Sequence, residues 1–174
     1  MAVSAIERFI TWHAAARGRE VVSTEQSFEA DFTILDTTVH LSGRVDRIER
    51  DESGALVVVD FKTSASAKTV KEVDADLQLA TYRRLVAESA DLPSSQVAAE
   101  LVQLRVPQGK NATGPKVQAH APTAEADAHL DLALERAVST ITSQSFVATP
   151  GKACNYCQFA LACPAQPMGQ EVIA

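Results

Sequence analysis

Residues 43 to 62 read GRVDRIERDESGALVVVDFK. Two runs of strand formers, TVHLSGRVDRIER at 38–50 and ALVVVDFK at 55–62, flank Asp51-Glu52-Ser53-Gly54, a turn by composition. Together they are expected to form a hairpin. The second run is short and mostly apolar, which suits a strand buried on both faces. It nevertheless ends with Asp60 and Lys62, two apart and therefore on one face. A carboxylate and an ammonium there are costly to bury unless they are paired or engaged with a metal. If Asp46 pairs across the hairpin on that face, two carboxylates and a lysine converge on one point.

Two carboxylates with a main-chain carbonyl form a hard oxygen site suited to Mg2+ or Mn2+. Such an ion can lower the pKa of a water and neutralise charge developing on a phosphate. Lys62 is placed to orient that water or to stabilise the transition state. Gln78 and Tyr82, at i and i+4, share a helix face and can reach the same cleft. Taken singly, Asp46 beside Arg44 and Arg47 also fits a solvated ion pair, and Gln78 with Tyr82 fits an ordinary helix surface. The joint pattern is what points to chemistry.

Outward from this stretch, Ile6, Phe9, Ile10 and His13 lie at i, i+3, i+4 and i+7 and predict an amphipathic helix over 3–17, stopped by Gly18. Residues 20–34 predict a strand. Val73, Leu77, Ala80, Tyr82, Leu85 and Val86 predict a helix over 70–90 that ends at Asp91-Leu92-Pro93. A further strand is expected at 98–106, a loop at 107–116, a helix at 123–142 and an irregular tail from Ser143. This order describes one α/β domain with a mixed sheet.

Bulk properties narrow the classes. The chain has 174 residues, enough for one compact domain, with 46% apolar and 22% charged residues, as in ordinary globular proteins. No apolar run is long enough to span a membrane and no secretion signal is evident, so a cytoplasmic location is expected. The net charge of −6 weighs against nucleic-acid binding, although a carboxylate metal site brings its own acids. All three cysteines, Cys154, Cys157 and Cys163, lie within ten residues of one another, which points to metal or cluster ligation before disulfides.

GRVDRI, then VVDFKT, then DADLQLATY resemble the successive signatures of RecB-family exonucleases in the PD-(D/E)XK superfamily. That family includes the RecB and AddAB recombination nucleases, their actinobacterial relatives and the CRISPR-adaptation exonucleases. The resemblance runs from about residue 20 to residue 165. It implies a restriction-endonuclease-like mixed sheet flanked by helices, with a nuclease core over 1–145 and a cysteine-bearing tail over 146–174. It also implies metal binding by Asp46, Asp60 and the carbonyl of Phe61, assistance to hydrolysis from Lys62, and Gln78 and Tyr82 lining the site near DNA.

Cys154-x2-Cys157-x5-Cys163-Pro164 resembles the C-terminal group with which some of these nucleases hold a 4Fe–4S cluster. Free cysteines, or a zinc site completed by His120 or His129, are the alternatives. Two departures stand out. No cysteine precedes Cys154, so the family's fourth cluster ligand is missing, and the family's upstream metal-binding histidine has only His13 and His40 as candidates. Both gaps are accounted for if the chain is the C-terminal piece of a longer helicase–nuclease, with DNA ends as substrate, the helicase portion as neighbour and a second subunit as partner. The resemblance thus implies an exonuclease acting in double-strand-break end resection and recombination repair. The competing reading is a catalytically silent nuclease fold that binds DNA or a partner subunit. A structural zinc or iron–sulfur domain would leave the D-x-K constellation unexplained.

Overall fold

The computed structural model describes residues 2–15, 18–110 and 112–166. It comprises α1 (Ala2–Ala14), β1 (Arg19–Ile34), β2 (Thr37–Asp51), β3 (Leu56–Lys62), α2 (Val70–Asp74), α3 (Leu77–Ser89), β4 (Val97–Pro107), β5 (Pro115–His120) and α4 (Ala124–Thr142), followed by two short 3-10 turns. By internal packing the chain divides into two units, residues 1–135 and 136–174. Among the described residues no helix is long and apolar enough to cross a membrane.

The sheet runs β1-β2-β3-β4-β5, antiparallel except for the parallel β3–β4 pair. That pair requires a crossover, which α2 and α3 supply. Two turns set the meander. Leu35 and Asp36 both have positive φ (47° and 58°), the geometry of a tight two-residue hairpin loop. At the second turn the Asp51 carboxylate accepts from the Ser53 and Ala55 amides, and Gly54 takes φ 88°.

β3 is buried on both faces, as its composition predicts. Val58 and Leu56 join Leu79, Leu85, Val86, Leu101 and Val45 on the α3 side. Val57 and Val59 join Trp12 and Val102 on the α1 side, with Phe9 and Phe61 packed against them.

Three local expectations are corrected. The buried face of α1 carries Ala5 and Trp12, whereas Ile6 and Ile10 are 59% and 57% exposed. Trp12 and Phe9 meet the Phe61 ring edge-on at 5.2 and 5.4 Å, an aromatic contact that outweighs the aliphatic stripe. The expected end of this helix at 16–17 lies outside the described residues. The single helix predicted over 70–90 is two, because Asp76 caps a new one, and part of the region read as loop and connector is the edge strand β5.

Candidate active site

β2 and β3 pair only from Arg50–Leu56 to Arg47–Val59, although both strands continue beyond. At that point Asp46 substitutes for the ladder. Its Oδ2 accepts the Phe61 amide hydrogen at 2.8 Å, so the carboxylate sits where the two strands part. Asp46 therefore meets β3 through main chain rather than through a direct cross-strand pair with Asp60. The alternation of β2 slips here. Val45 and Ile48, three apart, both join the α3-side core, while Arg47 lies over Trp12 on the other side. Across the β1 hairpin, Glu25 takes φ 51° opposite this slip.

Asp60 is 3% exposed. Its Oδ2 lies 2.8 Å from Lys62 Nζ, an ion pair without hydrogen-bond alignment, so the oxygen is buried with no hydrogen bond. Burial pushes the Asp60 carboxyl above its ordinary range. Lys62 pulls it back, and the charges of Asp46 and Asp76 push it further up. The Lys62 ammonium also donates to Gln78 Oε1 at 2.9 Å, and Gln78 Nε2 donates to the Tyr82 hydroxyl at 2.9 Å. One polar chain thus runs Asp60–Lys62–Gln78–Tyr82, from strand to helix face. Gly43 leaves room for its far end, because a Cβ there would lie 2.7 Å from Tyr82 Cε1.

The start of α3 is fixed by Asp76, whose Oδ1 accepts the Gln78 and Leu79 amides at 3.0 and 3.2 Å. Burial alone would raise the Asp76 carboxyl. Pairing with Lys68 and these amide bonds outweigh it and hold the group below its ordinary range.

Neither histidine considered for the metal joins this cluster. His13 stacks on Phe9 and takes a hydrogen bond from Arg47 Nη1 at 3.2 Å, on the α1 side of the sheet. His40 is exposed on the hairpin, 2.8 Å from Asp31. His120 is buried in β5 with both ring nitrogens unpartnered, and burial with nearby Arg83 lowers its pKa. Among the described residues no three His, Cys, Asp or Glu side chains gather closely enough to hold a metal.

A divalent ion held by Asp46 and Asp60 would have two protein carboxylates, and its further ligands would have to come from main chain, water and substrate. That suits Mg2+, which keeps several waters, and the unsatisfied Asp60 oxygen is the atom an ion would engage. The tail fits its group less well. Cys154 lies in the 3-10 turn Lys152–Tyr156, Cys157 caps that turn and Cys163 caps the next (Ala160–Ala162); none is in a disulfide, and among the described residues they do not form a ligand set.

The family model described as the PD-(D/E)XK nuclease superfamily matches residues 1–164. The chain belongs to the PD-(D/E)XK nuclease superfamily. Members of this superfamily are typically nucleases that use divalent metals such as Mg2+ or Mn2+, and the five-stranded mixed sheet is consistent with its restriction-endonuclease-like fold. The crystal structure of SSO0001 is similar, with a TM-score of 0.55 at 18% identity over 95% of this chain and 70% of that one. At that identity the likeness is one of fold. No curated protein matches the chain.

The residues that sequence reading passed over are Ser64, Lys68, Asp76, Gln103 and Gln118. Gln103 carried a signal, since period two from Ala99 and Leu101 demands an apolar residue where a glutamine stands.

Proposed function

We propose that this PD-(D/E)XK domain is a divalent-metal-dependent deoxyribonuclease of RecB type. It hydrolyses phosphodiester bonds at DNA ends as the nuclease portion of a longer helicase–nuclease, together with a second subunit. The observation that carries the chemistry is the buried Asp60 carboxylate. One of its oxygens lacks a hydrogen bond, and Asp46 and a tethered Lys62 stand beside it.

Asp46, Asp60 and the Phe61 carbonyl would hold Mg2+ or Mn2+. When bound, the ion supplies Lewis acidity to a water and to the scissile phosphate. Lys62 orients the attacking water and offsets the negative charge that builds on the phosphate. Gln78 keeps the ammonium in place by accepting one of its hydrogens, and Tyr82 presents its hydroxyl toward the DNA strand. The order of the three motifs supports the RecB assignment and, through it, the helicase neighbour, the role in end resection and recombination repair, and the cytoplasmic setting. The three-cysteine tail keeps its resemblance to a 4Fe–4S segment and carries no part of this reading.

The test is cleavage of linear DNA with Mg2+ or Mn2+, using chelator, Asp60→Ala and Lys62→Ala as controls. Metal-dependent cutting that both substitutions abolish is the expected result. Full cutting by either variant would sink the assignment. A folded wild-type chain that binds DNA or a partner subunit but does not cut would favour the silent module, which the net charge of −6 and the separation of His13 and His40 from the site support.

A further inference from the structure

Gln103 is 1% exposed and shares its face of β4 with the core residues Val97, Ala99 and Leu101. A buried amide is costly unless its groups are satisfied, so its partners are informative. Gln103 stands in parallel register with Lys62. Its Oε1 lies 3.3 Å from Ser64 Oγ, which shares its one hydrogen between this oxygen and the Ser66 carbonyl at 3.1 Å, and its Nε2 donates to Gln118 Oε1 at 3.3 Å. Gln118 is also buried, and its Nε2 donates to the Lys68 carbonyl at 2.9 Å. Both amides therefore grip the segment 63–69, which leaves β3 immediately after Lys62.

That segment, TSASAKT, holds no large apolar residue and is mostly exposed, so packing alone does not order it. Its far end leads back to the site. Lys68 pairs with Asp76, Asp76 caps the amides of Gln78 and Leu79, and Gln78 accepts from Lys62 Nζ. The body of α3 is anchored separately by Leu79, Leu85 and Val86. Loosening the segment should thus disturb the first turn of α3 rather than the fold.

We propose that Gln103 and Gln118 are positioning residues for the hydrolytic reaction, pinning Ser64 and Lys68 so that the first turn of α3 holds Lys62 beside Asp60. The inference rests on the nuclease reading above. Small displacements of a group that must meet the reacting atoms cost about a hundredfold in rate, so the effect belongs in kcat rather than in DNA binding.

The experiment compares wild type, Gln103→Met and Gln118→Met, which keep side-chain length and lose the amide, with Asp60→Asn as the inactive control. Metal-dependent cleavage is resolved into kcat and KM, thermal melts are recorded, and the Gln78 side-chain amide and the exchange of the Gln78 and Leu79 backbone amides are followed by NMR. Expected are a kcat lower by roughly ten- to a hundredfold, a KM within about threefold, a melt lowered by a few degrees with the chain still folded at the assay temperature, a shifted Gln78 side-chain signal and faster exchange at 78–79. Unchanged kcat in both variants, with wild type active and Asp60→Asn inactive, overturns the positioning role and leaves the nuclease reading standing. Activity lost only in proportion to folded protein overturns it too. If wild type itself does not cut, the nuclease reading fails for this chain. The NMR arm then still decides the placement, and unchanged Gln78 signals would refute it.

Discussion

A Cβ on residue 43 would lie 2.7 Å from Cε1 of Tyr82 and 3.5 Å from a Leu85 methyl, so Gly43 and Tyr82 occupy one space between β2 and α3. This gives the glycine of the G-x-x-D-R-I stretch a physical reason: it is the floor on which the tyrosine lies. The ring is held from the other side by Gln78, which donates to its hydroxyl. Gly43→Ala is therefore expected to displace Tyr82 and to destabilise the domain by about 1–3 kcal/mol. In a Tyr82→Leu background most of that cost should vanish. A double-mutant cycle by denaturant unfolding measures the coupling, and a coupling near zero would mean that the ring moves aside without cost.

Arg47, opposite Val59 of β3, serves a different purpose from Asp46 beside it. Its Nε donates to Glu49 Oε1 at 2.8 Å, both side chains are buried, and its guanidinium lies 5.3 Å from the Trp12 ring centre. Arg19 remains 3.6 Å from Glu49 Oε2, so removing Arg47 takes away one charge-assisted hydrogen bond and leaves the other pairing, at about 1.5–3 kcal/mol. Arg47→Ala should accordingly lower stability by that order. Whatever activity remains should track the folded fraction in parallel melting and cleavage assays. A stable but inactive Arg47→Ala protein would instead move this arginine into the site.

Asp76 provides the acid dependence. Its folded pKa is held below that of the unfolded chain, so its contribution is present above the ordinary aspartate range and is lost as pH falls through the lowered value. Asp76→Asn keeps a capping oxygen but not the charge paired with Lys68. At neutral pH it should be less stable than wild type by about 1–2 kcal/mol, and the gap should close as pH falls below the ordinary aspartate range and through the lowered value. Urea titrations across that range test the convergence. Parallel curves at all pH values would exclude Asp76 as the titrating group.

The hairpin, the doubly buried β3 and the shared face of Asp60 and Lys62 were readable because each depends on local periodicity and turn chemistry. The inward face of α1 was not. Ala5, Ile6, Phe9, Ile10 and Trp12 offer two apolar stripes, and the choice between them was made by Phe61, nearly fifty residues away. β5 escaped notice because PKVQAH opens on a proline and has little apolar character, as an edge strand can. The role of Asp46 as a substitute for a ladder partner is a tertiary feature, since no spacing rule says where two paired strands part. The cysteine spacing suggests one ligand group, yet Cys154 and Cys157 share one 3-10 turn while Cys163 caps the next, and among the described residues the three do not gather as ligands.

The most direct consequence of the Asp60 environment concerns metal and heat. Burial raises the Asp60 pKa, so the folded chain binds that proton more tightly than the unfolded one. Stability from this group is greatest below the ordinary aspartate range and declines as pH rises through the raised value. At neutral pH the ionised carboxylate is thus a local liability that a divalent cation would relieve. In chelator, Asp60→Asn should melt no lower than wild type, because the substitution removes a buried charge while Lys62 retains Gln78. With Mn2+ or Mg2+ added, wild type should gain about 2.7 kcal/mol when the free ion reaches a hundred times its Kd, and Asp60→Asn should gain nothing. Thermal melts of both proteins with and without cation read the difference. A wild-type melt indifferent to both ions would remove the metal site, whereas a gain that persists in Asp60→Asn would move it elsewhere in the molecule.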